Sequence, residues 1–265
     1  MRWSERRILL TGASGGIGRE LSAQLAAHGA RLLLVGRDKS PLAPLQASAP
    51  DRIQVLGADL THSEDRQRVV NAADQAGIDM LINAAGINHF GLFDEQSAER
   101  LTAMIDLNIS ATLLLTQALL PRLLHRPAAW VVNVGSAFGA IGHPGYTAYC
   151  ASKFALRGFS QALRRELADT PVQVLYLAPR ATRTAMNSAS ADAMNTALGN
   201  RVDEPEDVAA AVIRGIETSA RERQIGWPEC LLVKLNALAP GLVDRALKKR
   251  LPLIQRHARD LSSSP

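Results

Sequence analysis

Apolar residues along the chain fall into two alternating patterns. Short apolar runs, Arg7 to Leu10, Arg31 to Val35, Ile53 to Leu56, Met80 to Ile82, Trp130 to Val134 and Val172 to Leu177, read as strands buried on both faces. Between them, Gly16 to His28, Asp65 to Gln75, Ala98 to Leu124 and Tyr146 to Leu167 place apolar residues at three- and four-residue spacing, as helices packed on a sheet do. This alternation predicts a doubly wound α/β fold, a Rossmann-type parallel sheet with helices on both faces. Nothing in the middle of the chain resembles a linker, so a single domain is expected: residues 1–226 form its body and residues 227–265 add short amphipathic helices and a basic tail. In such sheets, ligands sit outside the carboxyl ends of the strands, so chemistry is sought in the turns that follow them.

The turn after the first strand reads Thr11-Gly12-Ala13-Ser14-Gly15-Gly16-Ile17-Gly18 and opens directly into a helical pattern. Glycines let a backbone approach a pyrophosphate, and the helix behind them offers free N–H groups and a positive dipole end. Tyr149 and Lys153 lie four apart and so on one helix face, where an ammonium is expected to lower the tyrosine pKa from its usual value of about 10 and make it a usable acid or base. Standing alone, either feature has a bland reading, a tight turn or a solvated Tyr/Lys pair.

Composition narrows the function classes. Residues 231–265 hold seven Lys/Arg against two Asp, which accounts for the whole net charge of +5 and leaves the rest neutral, so the body is not expected to bind nucleic acid. Two cysteines, Cys150 and Cys230, are too few for a disulfide framework or zinc cluster, and no metal-ligand spacing occurs. The N-terminus carries no apolar stretch long enough for a signal peptide, so a cytoplasmic setting is expected.

Five motifs in order resemble the short-chain dehydrogenase/reductase family: the Thr-Gly-x-x-x-Gly-x-Gly turn, Asn83-Ala84-Ala85-Gly86 after the fourth strand, Asn108 in a long helix, Ser136 after the fifth strand, and Tyr149-Cys150-Ala151-Ser152-Lys153. The likeness spans roughly Arg7 to Thr184. It implies hydride transfer between NADP(H) or NAD(H) and a carbonyl or alcohol. Tyr149 would move the proton at the substrate oxygen, Ser136 would hydrogen-bond that oxygen, Lys153 would bind the nicotinamide ribose, and Asn108 would hold a water leading to solvent. The implied cofactor contacts are Thr11, Gly12, Ser14, Gly16, Ile17 and Gly18; Asn83, Ala84, Ala85 and Gly86; Asp59 and Leu60 beside the adenine; and Pro179, Thr182 and Thr184. For Asp59 a plain turn aspartate is the bland alternative.

At the end of the second strand the family's acidic position, which would accept the ribose 2′-hydroxyl, matches Gly36 and is followed by Arg37, which favours NADP(H). Asp38 is the rival acceptor for NAD(H), and Arg19 is a further cation near the turn. Where relatives have Pro-Gly-x-(Val/Ile)-x-Thr, this chain has Pro179-Arg180-Ala181-Thr182-Arg183-Thr184; Arg180 is expected to point to solvent, or else to reach the mouth of the site. Asn88, His89, Phe90, Phe138, His143 and Tyr146 are candidate substrate neighbours, and residues 185–200 are either a mobile lid or a surface helix rich in alanine. Beyond Trp227 the apolar stripe with its basic cluster, cut into short helices by Pro240, Gly241 and Pro252, is expected to cover the sheet edge, to form a homodimer or homotetramer contact, or to lie in a membrane surface, as in hydroxysteroid- and retinol-type members that the tail resembles. A cofactor-binding sensor without turnover is the functional alternative.

Overall fold

A computed structural model describes residues 1–259. Seven strands, β1 (Arg7–Thr11), β2 (Arg31–Gly36), β3 (Ile53–Gly57), β4 (Met80–Asn83), β5 (Ala129–Val134), β6 (Val172–Pro179) and β7 (Glu222–Ile225), form one parallel sheet in the order β3-β2-β1-β4-β5-β6-β7. Alternate residues of each strand supply opposite faces. Ile8 and Leu10 join one core with the helices α1 (Gly16–Ala27) and α8 (Pro205–Glu217), whereas Leu9 joins a second with α3 (Ser63–Ala76), α5 (Thr112–Leu124) and α6 (Thr147–Glu166). The predicted doubly wound sheet is thus present, with both faces covered. Strand order reverses between β1 and β4, and that switch point opens a crevice at the carboxyl edge.

Two further helices, α2 (Ala43–Ser48) and α4 (Ala98–Ile105), complete the body, with α4 continuing through a π-helical turn at Asp106–Ala111 into α5. By length and composition Ala98–Leu124 could cross a membrane. Its Leu115, Leu119 and Leu123 are fully buried in the core, whereas Ile105, Leu114 and Leu124 are exposed.

The end of the chain differs from the sequence-based expectation. After α7 (Ala189–Ala197) and α8, the edge strand β7 leads to α9 (Glu229–Leu238) and then to α10 (Pro240–Arg259), so the expected break at Pro240 is present but the one at Pro252 is not. Pro252 does not break α10: Pro252 and Lys248 are both exposed, so the carbonyl that loses its partner faces solvent. The inward face of α10 carries Ile254 and Ala258, buried with Phe90, Tyr146, Cys150, Ala191 and Met194. Residues 185–200 therefore include a helix whose apolar face docks on α10. Its Ser188 caps the first turn by accepting from the Ala191 N–H at 3.2 Å.

Candidate active site

β1 ends at Thr11, and the chain turns through Gly12 at φ +67° before α1 begins. A Cβ at Gly12 would lie 2.7 Å from the backbone of Ala84 and Ala85, so only glycine lets the first turn and the β4 turn touch. Thr11 Oγ1 fastens that contact by accepting from the N–H groups of Ala84 and Ala85, each at 3.2 Å. The N-cap of α1 is Gly15, which has no side chain to occupy the first N–H groups of the helix. Ser14, Gly16, Ile17 and Gly18 line a cleft of about 590 Å³ at the carboxyl edge, together with Gly12, Ala84 and Gly86. A close-approach glycine turn, unoccupied helix N–H groups and a cleft of this size fit a dinucleotide.

Ser136, Tyr149 and Lys153 face the same cleft. Ser136 follows β5 and accepts from the Phe138 N–H at 3.1 Å, while Tyr149 and Lys153 stand one turn apart on α6. Lys153 Nζ lies 5.6 Å from the centre of the Tyr149 ring, over its face, and donates to the Val134 carbonyl at 3.3 Å. Burial pushes the Lys153 ammonium down to about 8. Burial also pushes the Tyr149 phenol up to about 12, against a lowering hydrogen bond with Ser136. The expected lowering of Tyr149 by its neighbour is therefore reversed: the ammonium sits over the ring face, and loss of water decides the sign. Tyr149 carries its proton at neutral pH, the form that a general acid needs.

Several predicted residues lie behind the cleft and shape it. Asn108, in the π-helical turn, accepts from the Ile87 N–H at 2.8 Å, and its amide donates to Ile87 O at 2.9 Å and Ser152 Oγ at 3.0 Å. It thereby ties the turn after β4 to α6; such π-turns recur at functional sites. Asn83 is buried and donates to Thr116 Oγ1 and Asn133 Oδ1, and Asn133 donates on to Ser160 Oγ at 2.8 Å. Tyr176 on β6 escaped the sequence reading. Its hydroxyl bonds the Ser136 backbone N–H and carbonyl at 3.4 Å each, and its ring fills the space beside Gly135 and Gly139, so it props the Ser136 loop.

Toward the ends of β2 and β3 the residues separate. The side chain of Asp59 accepts from Thr61 N–H and Oγ1 at 2.9 and 2.7 Å, a local turn that holds its carboxyl below the usual range, and Leu60 is buried. Asp38 likewise accepts from the Ser40 N–H at 2.8 Å. Arg37 is exposed just past β2, and a Cβ at Gly36 would lie 2.5 Å from Ser14 Oγ. On the other side, Pro179, Thr182 and Thr184 line the cleft, and so do Asn88, Phe138 and Tyr146 among the candidate substrate neighbours. The remaining three do not. His89 pairs with Arg100, Phe90 is buried behind Tyr146 at 5.0 Å between ring centres, and His143 stacks on Phe138 and bonds the Pro144 carbonyl.

The family profile described as short chain dehydrogenase matches residues 6–195. The chain belongs to the short-chain dehydrogenase/reductase family. Nodulation protein G of Rhizobium sp. (strain N33) is 34% identical over 195 residues, which cover 73% of this chain and 80% of that protein. A short-chain dehydrogenase from Sphingobium yanoikuyae, solved in complex with NADPH, superposes with a TM-score of 0.76 at 30% identity, covering 90% of this chain and 95% of that one. A 3-ketoacyl-(acyl-carrier-protein) reductase from Brucella melitensis, complexed with NADH, shares the fold with a TM-score of 0.79 at 23% identity, covering 86% of this chain and 99% of that one. The short-chain dehydrogenase/reductase motifs thus sit on the expected elements of a recognised oxidoreductase fold.

The buried Lys153 gives stability a pH dependence of definite sign. In the fold its proton leaves near pH 8, but in the unfolded chain only near 10.5, so between those values the unfolded state holds more protons and stability rises with pH. Relative to Lys153→Met, the wild-type protein is expected to gain about 2 kcal/mol between about pH 7.5 and about pH 9.5 in urea unfolding. A difference that stays flat would mean that the ammonium is not desolvated.

Proposed function

We propose that this chain is an NADP(H)-dependent oxidoreductase that interconverts a carbonyl and an alcohol, with Tyr149 as general acid and base. The observation that carries this reading is that Ser136, Tyr149 and Lys153 face one cleft with the open N-terminus of α1. When bound, the nicotinamide gives or takes the hydride. Ser136 orients the substrate oxygen by a hydrogen bond, and Tyr149 delivers its proton to that oxygen in reduction and takes it back in oxidation. Lys153 binds the ribose hydroxyls, which give the buried ammonium partners beyond the Val134 carbonyl, and Asn108 holds a water that leads from Lys153 toward solvent. Convergence of the three side chains favours turnover over a sensor role.

Preference for NADP(H) over the alternative NAD(H) rests on three side chains. Ser14 occupies the space that an acid at position 36 would need, Asp38 is engaged in its own turn, and Arg37 is the exposed cation beside them. A 2′-phosphate fits such a cation better than a hydroxyl does. Phe138 and Tyr146, backed by Phe90, Met194 and Ile254, make the substrate wall apolar, which supports a lipophilic carbonyl compound. The expected setting is the reducing cytoplasm, compatible with free Cys150 and Cys230.

The inward stripe of α10 is used up by the fold, so it is not the face that meets a membrane. A smaller outward patch remains on α9 and the first turn of α10: Trp227 is 61% exposed and Leu238 86%, with Leu231, Leu232 and Leu242 beside them. Lys234 lies between Leu231 and Leu238 on one helix face, and Arg245 and Lys249 follow Leu242 on the next. Pairing this face with a second copy would oppose like charges, whereas anionic headgroups would match both its apolar and basic parts. For self-association Leu114 on α5 and Phe154 on α6 are the exposed apolar alternatives.

Tyr149→Phe should abolish NADPH-linked carbonyl reduction while NADPH still binds, because only the transferable proton is lost; strong residual turnover would overturn the assignment. Arg37→Ala should weaken NADPH by about tenfold or more and NADH little, measured by fluorescence titration, since a charge-assisted contact to phosphate is removed. Equal weakening of both would return Asp38 to consideration. Binding to phosphatidylglycerol vesicles should fall with salt and be lost in Leu231→Glu/Leu238→Glu. These exposed sites are better probes than truncation, which would strip Ile254 from behind the substrate wall; failure of the wild type to cosediment at low salt would dismiss the membrane face.

A further inference from the structure

Arg180 stands where relatives have a glycine, and of the two courses that the sequence suggests it takes the one toward the site: it is among the residues that line the cleft, with its guanidinium paired to protein groups. It turns away from solvent and reaches two separate segments. Its Nε and Nη2 donate to the carboxylate of Asp203 at 2.9 and 2.5 Å, and its Nη1 donates to the Trp227 carbonyl at 2.8 Å and to Glu229 Oε2 at 3.1 Å. The three charged side chains are only 12–21% exposed, so the pairs are poorly screened. Gly226, at φ +111°, leaves the room: a Cβ there would lie 2.8 Å from Arg180 Cδ.

Each partner leads somewhere. Asp203 also holds the main chain of the same loop, its N–H donating to the Ala181 carbonyl and its carbonyl accepting from the Arg183 N–H, both at 2.9 Å, in a parallel bridge with Thr182. On the far side of that loop Thr184 lies against the glycine turn, where a Cβ on Gly16 would come within 2.6 Å of it. Glu229 is the first residue of α9. The segment 179–184, all six of whose residues line the cleft opposite α1, is therefore held between the glycine turn and the start of the C-terminal helices.

We propose that Arg180 is a positioning residue that clasps the cofactor-facing segment 179–184 to α9 through Asp203 and Glu229, so that cofactor binding and docking of the C-terminal helices are coupled. The inference rests on the reading of the cleft as a dinucleotide site. Without the guanidinium, two partly buried carboxylates face each other across the loop and α9, and both loop and helix loosen. By linkage, a ligand that orders the loop must also secure α9 to the same extent.

The test uses the full-length protein with NADPH. Bound NADPH should slow tryptic cleavage after Lys234 and Arg245 in the wild type. Arg180→Gly, which restores the residue common in relatives, should raise the NADPH Kd about tenfold or more, raise its KM more than it lowers kcat, and abolish the protection; Arg180→Lys should recover part of both. Glu229→Gln keeps the Asp203 pairs, so it reports even if Arg180→Gly fails to fold, and it should lose most of the protection while the Kd rises a few-fold. A wild-type protein that binds NADH in place of NADPH is tested in the same way with NADH, whereas one that binds neither would remove the dinucleotide reading and this proposal with it. A wild type that binds, with unchanged Kd and protection in the Arg180→Lys and Glu229→Gln variants, would overturn the clasp alone.

Discussion

An ammonium group buried under the cleft sets the terms for everything around it. Lys153 is 6% exposed, and the Val134 carbonyl is the hydrogen-bond partner found for its Nζ. Withdrawing a charge from water costs several kcal/mol unless polar groups replace the solvent. Around it the chain arranges groups with no freedom to move. Asn108 fixes the Ile87 backbone and Ser152, and Gly86 leaves space beside both Asn108 and Lys153, its notional Cβ lying 3.1 Å from Asn108 Oδ1 and 3.7 Å from Lys153 Nζ. The π-helical turn supplies the extra residue that brings Asn108 into this position on an otherwise continuous helix. The same desolvation raises Tyr149, so burial sets both proton positions in opposite senses, as the signs of the two charged forms require.

Rigidity at that point depends on the sheet. Parallel strands buried on both faces hold their carboxyl ends in register, and the loops that leave them inherit the precision. A polar seam runs from Asn83 through Asn133 to Ser160 inside this apolar layer. The side-chain donors of that seam are all paired, which avoids the cost of a buried orphan and joins β4 and β5 to α6. Tyr176 extends the arrangement to the Ser136 loop. Tyr149, Ser136 and Lys153 are thus referenced to one another through the scaffold as well as through the Tyr149–Ser136 hydrogen bond and the stacking of Lys153 over the Tyr149 ring.

Much of this was legible in the sequence because local signals carried it. Six strands announced themselves as apolar runs, and the turn glycines and the Tyr149/Lys153 spacing needed only one helix and one turn. β7 did not, since Glu222-Arg223-Gln224-Ile225 buries a single apolar residue at a sheet edge. α8 carried its signal, Pro205 at the first turn with Glu206 and Asp207 and then Val208, Val212 and Ile216 at helical spacing, yet was passed over between louder segments. Asp59 takes the local-turn partner Thr61 that its plain reading as a turn aspartate implies, and Asp38 bonds Ser40 in a backbone geometry that composition does not reveal. The sign of the Tyr149 shift was missed for a related reason: proximity to a charge is visible in spacing, whereas burial is a property of the whole fold.

The departure at Arg180 shows how such a fold absorbs a change that local rules forbid. A side chain added beside the cofactor cleft needs both room and partners for its charge. Room comes from Gly226, in a conformation that other residues rarely adopt, and charge balance comes from Asp203 and Glu229, 23 and 49 positions away in sequence. None of these residues is periodic with another, so no reading of one segment could join them. Together they convert a loop that glycine would leave free into one fixed by the strand edge and the C-terminal helices. Those helices also place Ile254 behind Phe90 and Tyr146, so the same tail bears on two sides of the cleft: through Glu229 on the Arg180 segment and through α10 behind Tyr146.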